Sequence, residues 1–196
     1  MANWTEIENK LFALLSDRYY QVYLGTSPRE HASFCVQKAR GSTLSTFSGE
    51  ISVVELKHPA RAGLPTRLVR GFDSTHNDSM YGAWWIDYQL LERFRRATST
   101  LPRSSREQQI RALMRARSAV PYDFNNMAGI AELNLPVGSR TPAIVGNAHY
   151  QPFVADADCK EYVPNVLWIG GDRQFYVCAP NYGNWIKHLS VSAGVA

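Results

Sequence analysis

Apolar residues recur with helical spacing at the start of the chain. Ile7, Leu11, Phe12, Leu14 and Leu15 share a face behind a Thr5–Glu8 capping-box pattern. A second start signal is Ser27-Pro28-Arg29-Glu30, with a cap, a proline at the first helical position and a glutamate at the third. The helix it predicts runs to Arg40 and stops at Gly41. The pattern then changes to short apolar runs between turn residues. Ile51–Leu56 reads as a short strand, followed by Leu68–Asp73 and Gly82–Asp87 as a strand pair. A helical run starts at Tyr88, with Leu90, Leu91 and Phe94 on its apolar face as far as about Ala97. Ser104 and Glu107 open another helix, with Ile110, Leu113 and Met114 on one side and Pro121 as its stop.

The last third is strand-like. Ile130–Leu135 alternates, Ala143–Val145 and Tyr150–Val154 are short candidates, and Val166–Ile169 and Gln174–Val177 flank Gly170-Gly171-Asp172. Helices, a strand pair, helices and then strands predict an α+β fold with a mostly antiparallel sheet. The predicted organisation is a helical N-terminal region over 1–60 packed on an α+β core over 61–196, together one compact unit.

Composition narrows the class. Of 196 residues, 45% are hydrophobic and 12% aromatic, enough to bury a real core. No apolar run approaches a membrane span. Acidic Glu6 and Glu8 stand where a secretory leader would be basic, which predicts a cytoplasmic protein with no membrane partner. The three cysteines, Cys35, Cys159 and Cys178, are odd in number and lack metal-like spacing. They read as buried structural thiols. His31, His58, His149 and His188 are scattered, so no metal site is expected. Net charge is +4, but unevenly spread: residues 93–117 hold eight arginines against one acid, Glu107. Such a run is either a solvated helical face or a surface for nucleic acid or an acidic partner.

The chemistry concentrates in Leu68-Val69-Arg70-Gly71-Phe72-Asp73. An apolar strand delivers one arginine directly before a glycine. The guanidinium is permanently charged and grips phosphate with two bonds, and the glycine lets a ligand come close. This strand, the aromatic strand Gly82-Ala83-Trp84-Trp85, the helix after it and the late Gly170-Gly171-Asp172-Arg173-Gln174-Phe175 together resemble the ADP-ribosyltransferase family over roughly residues 66–180.

The resemblance implies an ADP-ribosyltransferase-like β core that takes NAD as cofactor. Arg70 with Gly71 would hold its phosphates, and Trp84 or Trp85 would wall the nicotinamide pocket in place of the family's serine–threonine pair. Gln174 or Asp172 would stand where the family places its catalytic glutamate. A carboxylate there stabilises the ribosyl cation and activates the acceptor, whereas glutamine hydrogen-bonds but brings no charge. Glu132 or Glu161 would be the substitute acid from another strand. His76, in the loop between the two strands, would contact a phosphate or the adenine ribose; its alternative is a polar turn.

The function these readings predict is an NAD-dependent mono-ADP-ribosyltransferase acting on a protein or other macromolecular acceptor, of the toxin or effector kind. The alternative is a non-catalytic binding protein that engages nucleic acid or an acidic partner through residues 93–117. A third reading starts from Pro121-Tyr122-Asp123, which resembles a turn of papain-like amidases. It lacks the nucleophilic cysteine that should follow.

Overall fold

The computed structural model describes residues 3–40, 47–60, 63–73, 81–118, 127–149, 151–152, 167–168, 170–178 and 183–189. Its centre is a seven-stranded sheet in the order β1-β5-β8-β3-β2-β4-β9. The strands are β1 (Phe47–Lys57), β2 (Arg67–Phe72), β3 (Trp84–Asp87), β4 (Gly129–Asn134), β5 (Arg140–Ala148), β8 (Arg173–Val177) and β9 (Ile186–Leu189). Two short strands, β6 (Gln151–Pro152) and β7 (Leu167–Trp168), pair separately. Every pairing among the described strands is antiparallel, so the α+β reading holds.

Among the described residues, five α-helices accompany the sheet: α1 (Trp4–Leu15), α2 (Arg18–Gln21), α3 (Pro28–Arg40), α4 (Tyr88–Ala97) and α5 (Arg103–Ser118). Local chemistry fixes their starts. Ser27 Oγ accepts from the Glu30 amide at 3.2 Å while Glu30 Oε2 accepts from the Ser27 amide at 3.0 Å, a reciprocal capping box. Asp87 caps α4 by accepting from the Gln89 amide at 2.8 Å. For α1 the cap is Asn3, which accepts from the Glu6 amide, and not Thr5. The helix begins one residue before the expected cap because Asn3 offers its side-chain oxygen first.

Strand alternation gives the sheet two different faces. On one, α1 and α3 bury Ile7, Leu11, Leu15, Ala32 and Val36 against Phe47, Ile144 and Tyr176. On the same face α4 and α5 bury Leu90, Leu91, Ile110 and Met114 against Val69, Ile86 and Ile130. The other face carries Leu56, Leu68, Phe72, Trp85, Leu133, Val145 and Phe175, closed over by Leu64, Leu135 and Trp185. The helical segment 1–60 therefore shares its core with the sheet. It also supplies β1, the edge strand, which is longer than the Ile51–Leu56 run suggested.

Five residues, 135–139, link β4 to β5, which stand sixth and second in the sheet. Four strand spacings are about 19 Å on a flat sheet. A link tightened by the Ser139 amide bonding the Pro136 carbonyl, and by Gly138 at φ 79°, falls short of that span. The sheet must curl to bring these ends together. The face without helices is the inside of that curl.

Candidate functional site

Arg70 projects from β2 into the concave face. Its neighbours Leu68 and Phe72 point the same way, and Val69 points to the helices. Register places Val69 opposite Ile86 of β3, so Arg70 stands opposite Trp85. The guanidinium carbon lies 5.7 Å from the Trp85 ring centroid. Gly82, just before β3, packs against the guanidinium as well: a Cβ built there would stand 1.7 Å from Arg70 Nη1. Nε and Nη1 of Arg70 are out of solvent while the residue as a whole is half-buried. Arginine, glycine and tryptophan, found at a spacing of two strands in sequence, thus form one cradle.

A row across the concave face extends this cradle. Val145, Phe175 and Trp85 are register partners on β5, β8 and β3. Arg70, Ala131 and His188 continue the row on β2, β4 and β9. Ala131 is small, so no bulk separates Arg70 from His188, two strand spacings or roughly 10 Å away. His188 stands edge-on to Phe72, ring centroids 5.5 Å apart. Phe72 lies across Gly129, where a Cβ would stand 2.3 Å from the ring. Arg173 covers Phe175 at 5.0 Å and donates to the Gly63 carbonyl at 2.8 Å. Val145, Phe175, Trp85 and Ala131 of this row are buried in the core, and Arg70, Arg173 and His188 are its solvent-accessible members.

The structure divides the other expected site residues between the faces. Trp84 lies on the helix side between Phe47 and Tyr176, centroids 5.1 and 5.0 Å away. It is partly buried and packs against the helix-side core, and register makes Trp85, itself fully buried, the tryptophan beside Arg70. Gly71 also faces the helices, where a Cβ would stand 2.7 Å from Met127 Cγ. Its role is to admit Met127, not a ligand on the Arg70 side. Gln174 pairs with Ile86 and Gly146 and is buried on the helix side. His76 and Glu161 lie outside the described residues, as do Pro121-Tyr122-Asp123 and Cys159.

Asp172 points toward the helices as well. Its carboxylate takes both Nε and Nη2 of Arg117 at the end of α5, the latter at 2.8 Å. That hydrogen bond holds the Arg117 guanidinium above its usual pKa, against the opposing effect of burial. Asp172 and Gln174 do share a face, as their two-residue spacing on a strand requires, but it is the face away from Arg70. Gly170-Gly171-Asp172 does not join two paired strands, since β7 pairs with β6 and β8 with β3 and β5. Gly170 and Gly171, at φ 62° and 87°, let their amides reach the carbonyls of Ala116 and Ala148. Glu132, the acid on β4, is fully buried on the helix side between Arg67 and Lys187. Lys187 Nζ approaches its Oε2 to 3.1 Å as an ion pair, at an angle that makes no hydrogen bond. Among the described residues, the carboxylates proposed for catalysis all lie across the sheet from Arg70.

The basic run is largely consumed inside the fold. Arg95 is buried, donates to Glu92 at 2.6 Å and to the Tyr88 hydroxyl at 3.1 Å. Arg115 is buried, Arg117 holds Asp172, and Arg106 donates to the carbonyls of Ser99 and Leu101. Arg93, Arg96 and Arg103 remain exposed. Sequence reading missed two contributors to the concave row, His188 and Arg173. An isolated histidine on a four-residue strand carries no local signal, and Arg173 reads as a turn residue until its register is known.

Among the described residues, no helix is long and apolar enough to cross a membrane, and no group of three or more His, Cys, Asp or Glu is arranged to hold a metal. Comparison of the chain with protein-family models, with curated proteins and with solved structures returned no match.

Proposed function

We propose that this protein binds NAD on the concave face of an ADP-ribosyltransferase-type sheet, with Arg70 on the pyrophosphate and Trp85 against a flat ring of the cofactor. The observation that carries this reading is the Gly82–Arg70–Trp85 cradle. A side chain at position 82 would take the space the guanidinium occupies, and the buried indole of Trp85 backs the guanidinium from the core, so a ring of the cofactor would reach it only by displacing its covering side chains. The strands that carry the resemblance, β2, β3 and β8, are consecutive neighbours in the sheet. The cofactor would supply the scissile nicotinamide–ribose bond. The residues of this chain bind and orient it, with Asp172 and Glu132 on the opposite face of the sheet. The test is calorimetric titration with NAD, comparing wild type with Arg70→Ala and Trp85→Ala. Equal affinity in all three overturns the reading.

A second reading is catalytic: mono-ADP-ribosyl transfer to a protein or other macromolecular acceptor, in the manner of a toxin or effector. It is favoured by the place of β8 directly beside β3, which brings the strand carrying Gln174 next to the Trp85 strand. Nicotinamide release above that of Arg70→Ala, with water or an added acceptor, supports transfer. NAD binding without release leaves binding as the function.

A further inference from the structure

We propose that Cys35 and Cys178 form a dithiol that hydroperoxides convert to a disulfide, joining α3 to the end of β8. Both cysteines are free and buried in the core between the N-terminal helices and the sheet. They come from segments 143 positions apart, yet Cys35 Sγ lies 3.9 Å from the Cys178 carbonyl oxygen, while Cys178 Sγ donates to the Tyr176 carbonyl at 3.3 Å. His31, one helical turn before Cys35, joins them: its Nε2 donates to the Cys178 carbonyl at 2.7 Å, and its ring also hydrogen-bonds the Cys35 thiol. His31 is half-buried and forms the solvent-side edge of the cluster.

The environment gives the two sulfurs different roles. The hydrogen bond from Cys178, with His31 adding to it against burial, pulls the Cys35 thiol down to about 6. Burial pushes the Cys178 thiol up. The lowered value favours the Cys35 thiolate, and the thiolate is the nucleophile in thiol oxidation. It attacks the terminal oxygen of a hydroperoxide: the S–O bond forms, the O–O bond breaks, and the departing alkoxide or hydroxide takes a proton. Cys178 sulfur then attacks the Cys35 sulfenic acid, forming S–S and breaking S–O. The expelled hydroxide takes the Cys178 proton and leaves as water. Two thiols are oxidised and one peroxide is reduced to an alcohol, or water, plus water.

The experiment is treatment of the folded protein with hydrogen peroxide, alkylation of remaining thiols and peptide mass mapping. The expected product is a Cys35–Cys178 linked peptide that also forms in Cys159→Ser and is reversed by a thiol reductant. Cys178→Ala should stop at a Cys35 sulfenic acid captured by a dimedone probe, a result that does not depend on closing the disulfide. His31→Gln should slow oxidation at pH 7, by up to about tenfold as the thiolate fraction falls. A linked peptide that contains Cys159, or one that forms only in denaturant, overturns the proposal. So does a folded protein whose Cys35 stays reduced after Cys159 has oxidised.

Discussion

Gly82 and Arg70 compete for one volume: a Cβ on Gly82 would stand 1.7 Å from Arg70 Nη1. The obstructing atom is the end of a flexible side chain, so Gly82→Ala should displace the guanidinium and leave the fold intact. We expect Gly82→Ala to melt within a few degrees of wild type while losing NAD affinity about as Arg70→Ala does. Thermal melting with calorimetry checks this. Unchanged NAD affinity would show that the guanidinium position does not matter for binding.

Arg70 itself should be irreplaceable by lysine. A charge-assisted bidentate contact contributes about 1.5–3 kcal/mol, or roughly 10- to 150-fold in affinity. Arg70→Ala and Arg70→Lys should both weaken NAD binding, because an ammonium cannot reproduce the fork that lies between Gly82 and Trp85. Full affinity in Arg70→Lys would reduce the contact to simple charge.

Asp172 should behave as a structural residue. It ties β8 to α5 through Arg117, whose side chain is 42% exposed, so screening limits the contribution of the pair to about 1 kcal/mol. Asp172→Asn should lower the denaturation midpoint and leave NAD affinity unchanged, as should Gln174→Ala. A 10²-fold or greater loss of nicotinamide release in either variant, with NAD affinity kept, would restore the catalytic assignment.

The arginines of the basic run should separate into two classes. Arg95→Ala removes the partner of Glu92 and Tyr88 from a buried position and should cost about 1–3 kcal/mol of stability. Reversing exposed Arg93, Arg96 and Arg103 to glutamate should leave stability nearly unchanged and abolish any gel shift seen at low salt. A shift that survives the triple reversal would place a polyanion surface elsewhere.

The Cys35 thiol should titrate near pH 6, visible as thiolate absorbance in the ultraviolet that Cys35→Ser removes. An acid whose pKa falls on folding stabilises the fold fully above its unfolded value, about 8.5 for a thiol. That stabilisation is lost as pH falls through about 6. His31, raised on folding chiefly by its bond to Cys35, runs oppositely: its contribution is present at low pH and lost as pH rises through the raised value. Denaturant titrations of wild type against Cys35→Ser isolate the thiol, and the stability difference should grow from pH 6 to 8.5. A flat profile there would contradict the lowered thiol.

Much of the element list was legible because its causes are local. The Ser27–Glu30 capping box, the start of α4 at Asp87 and the strand pair around Arg70 each arise from residues within one or two turns of one another. The four-residue strand β9 was missed because it is held by pairing with β4, not by any pattern of its own. The short α2 was missed for a related reason. Tyr20 is fixed by a bond from its hydroxyl to Glu55, 35 residues away.

The sequence by itself determined that an arginine and a glycine-aromatic strand would stand near each other, and that the fold would be α+β. Only the tertiary structure decided which face each side chain takes. A strand's alternation is visible in sequence, but its phase relative to neighbouring strands is set by register, and a slip of one residue moves every side chain across the sheet. Register put Trp85 beside Arg70 and sent Trp84, Gln174 and Asp172 to the helices. Tertiary packing also brought Cys35, His31 and Cys178 together from opposite ends of the chain, because the apolar face of α3 is buried in the cluster shared with α1 and the sheet that includes Cys178.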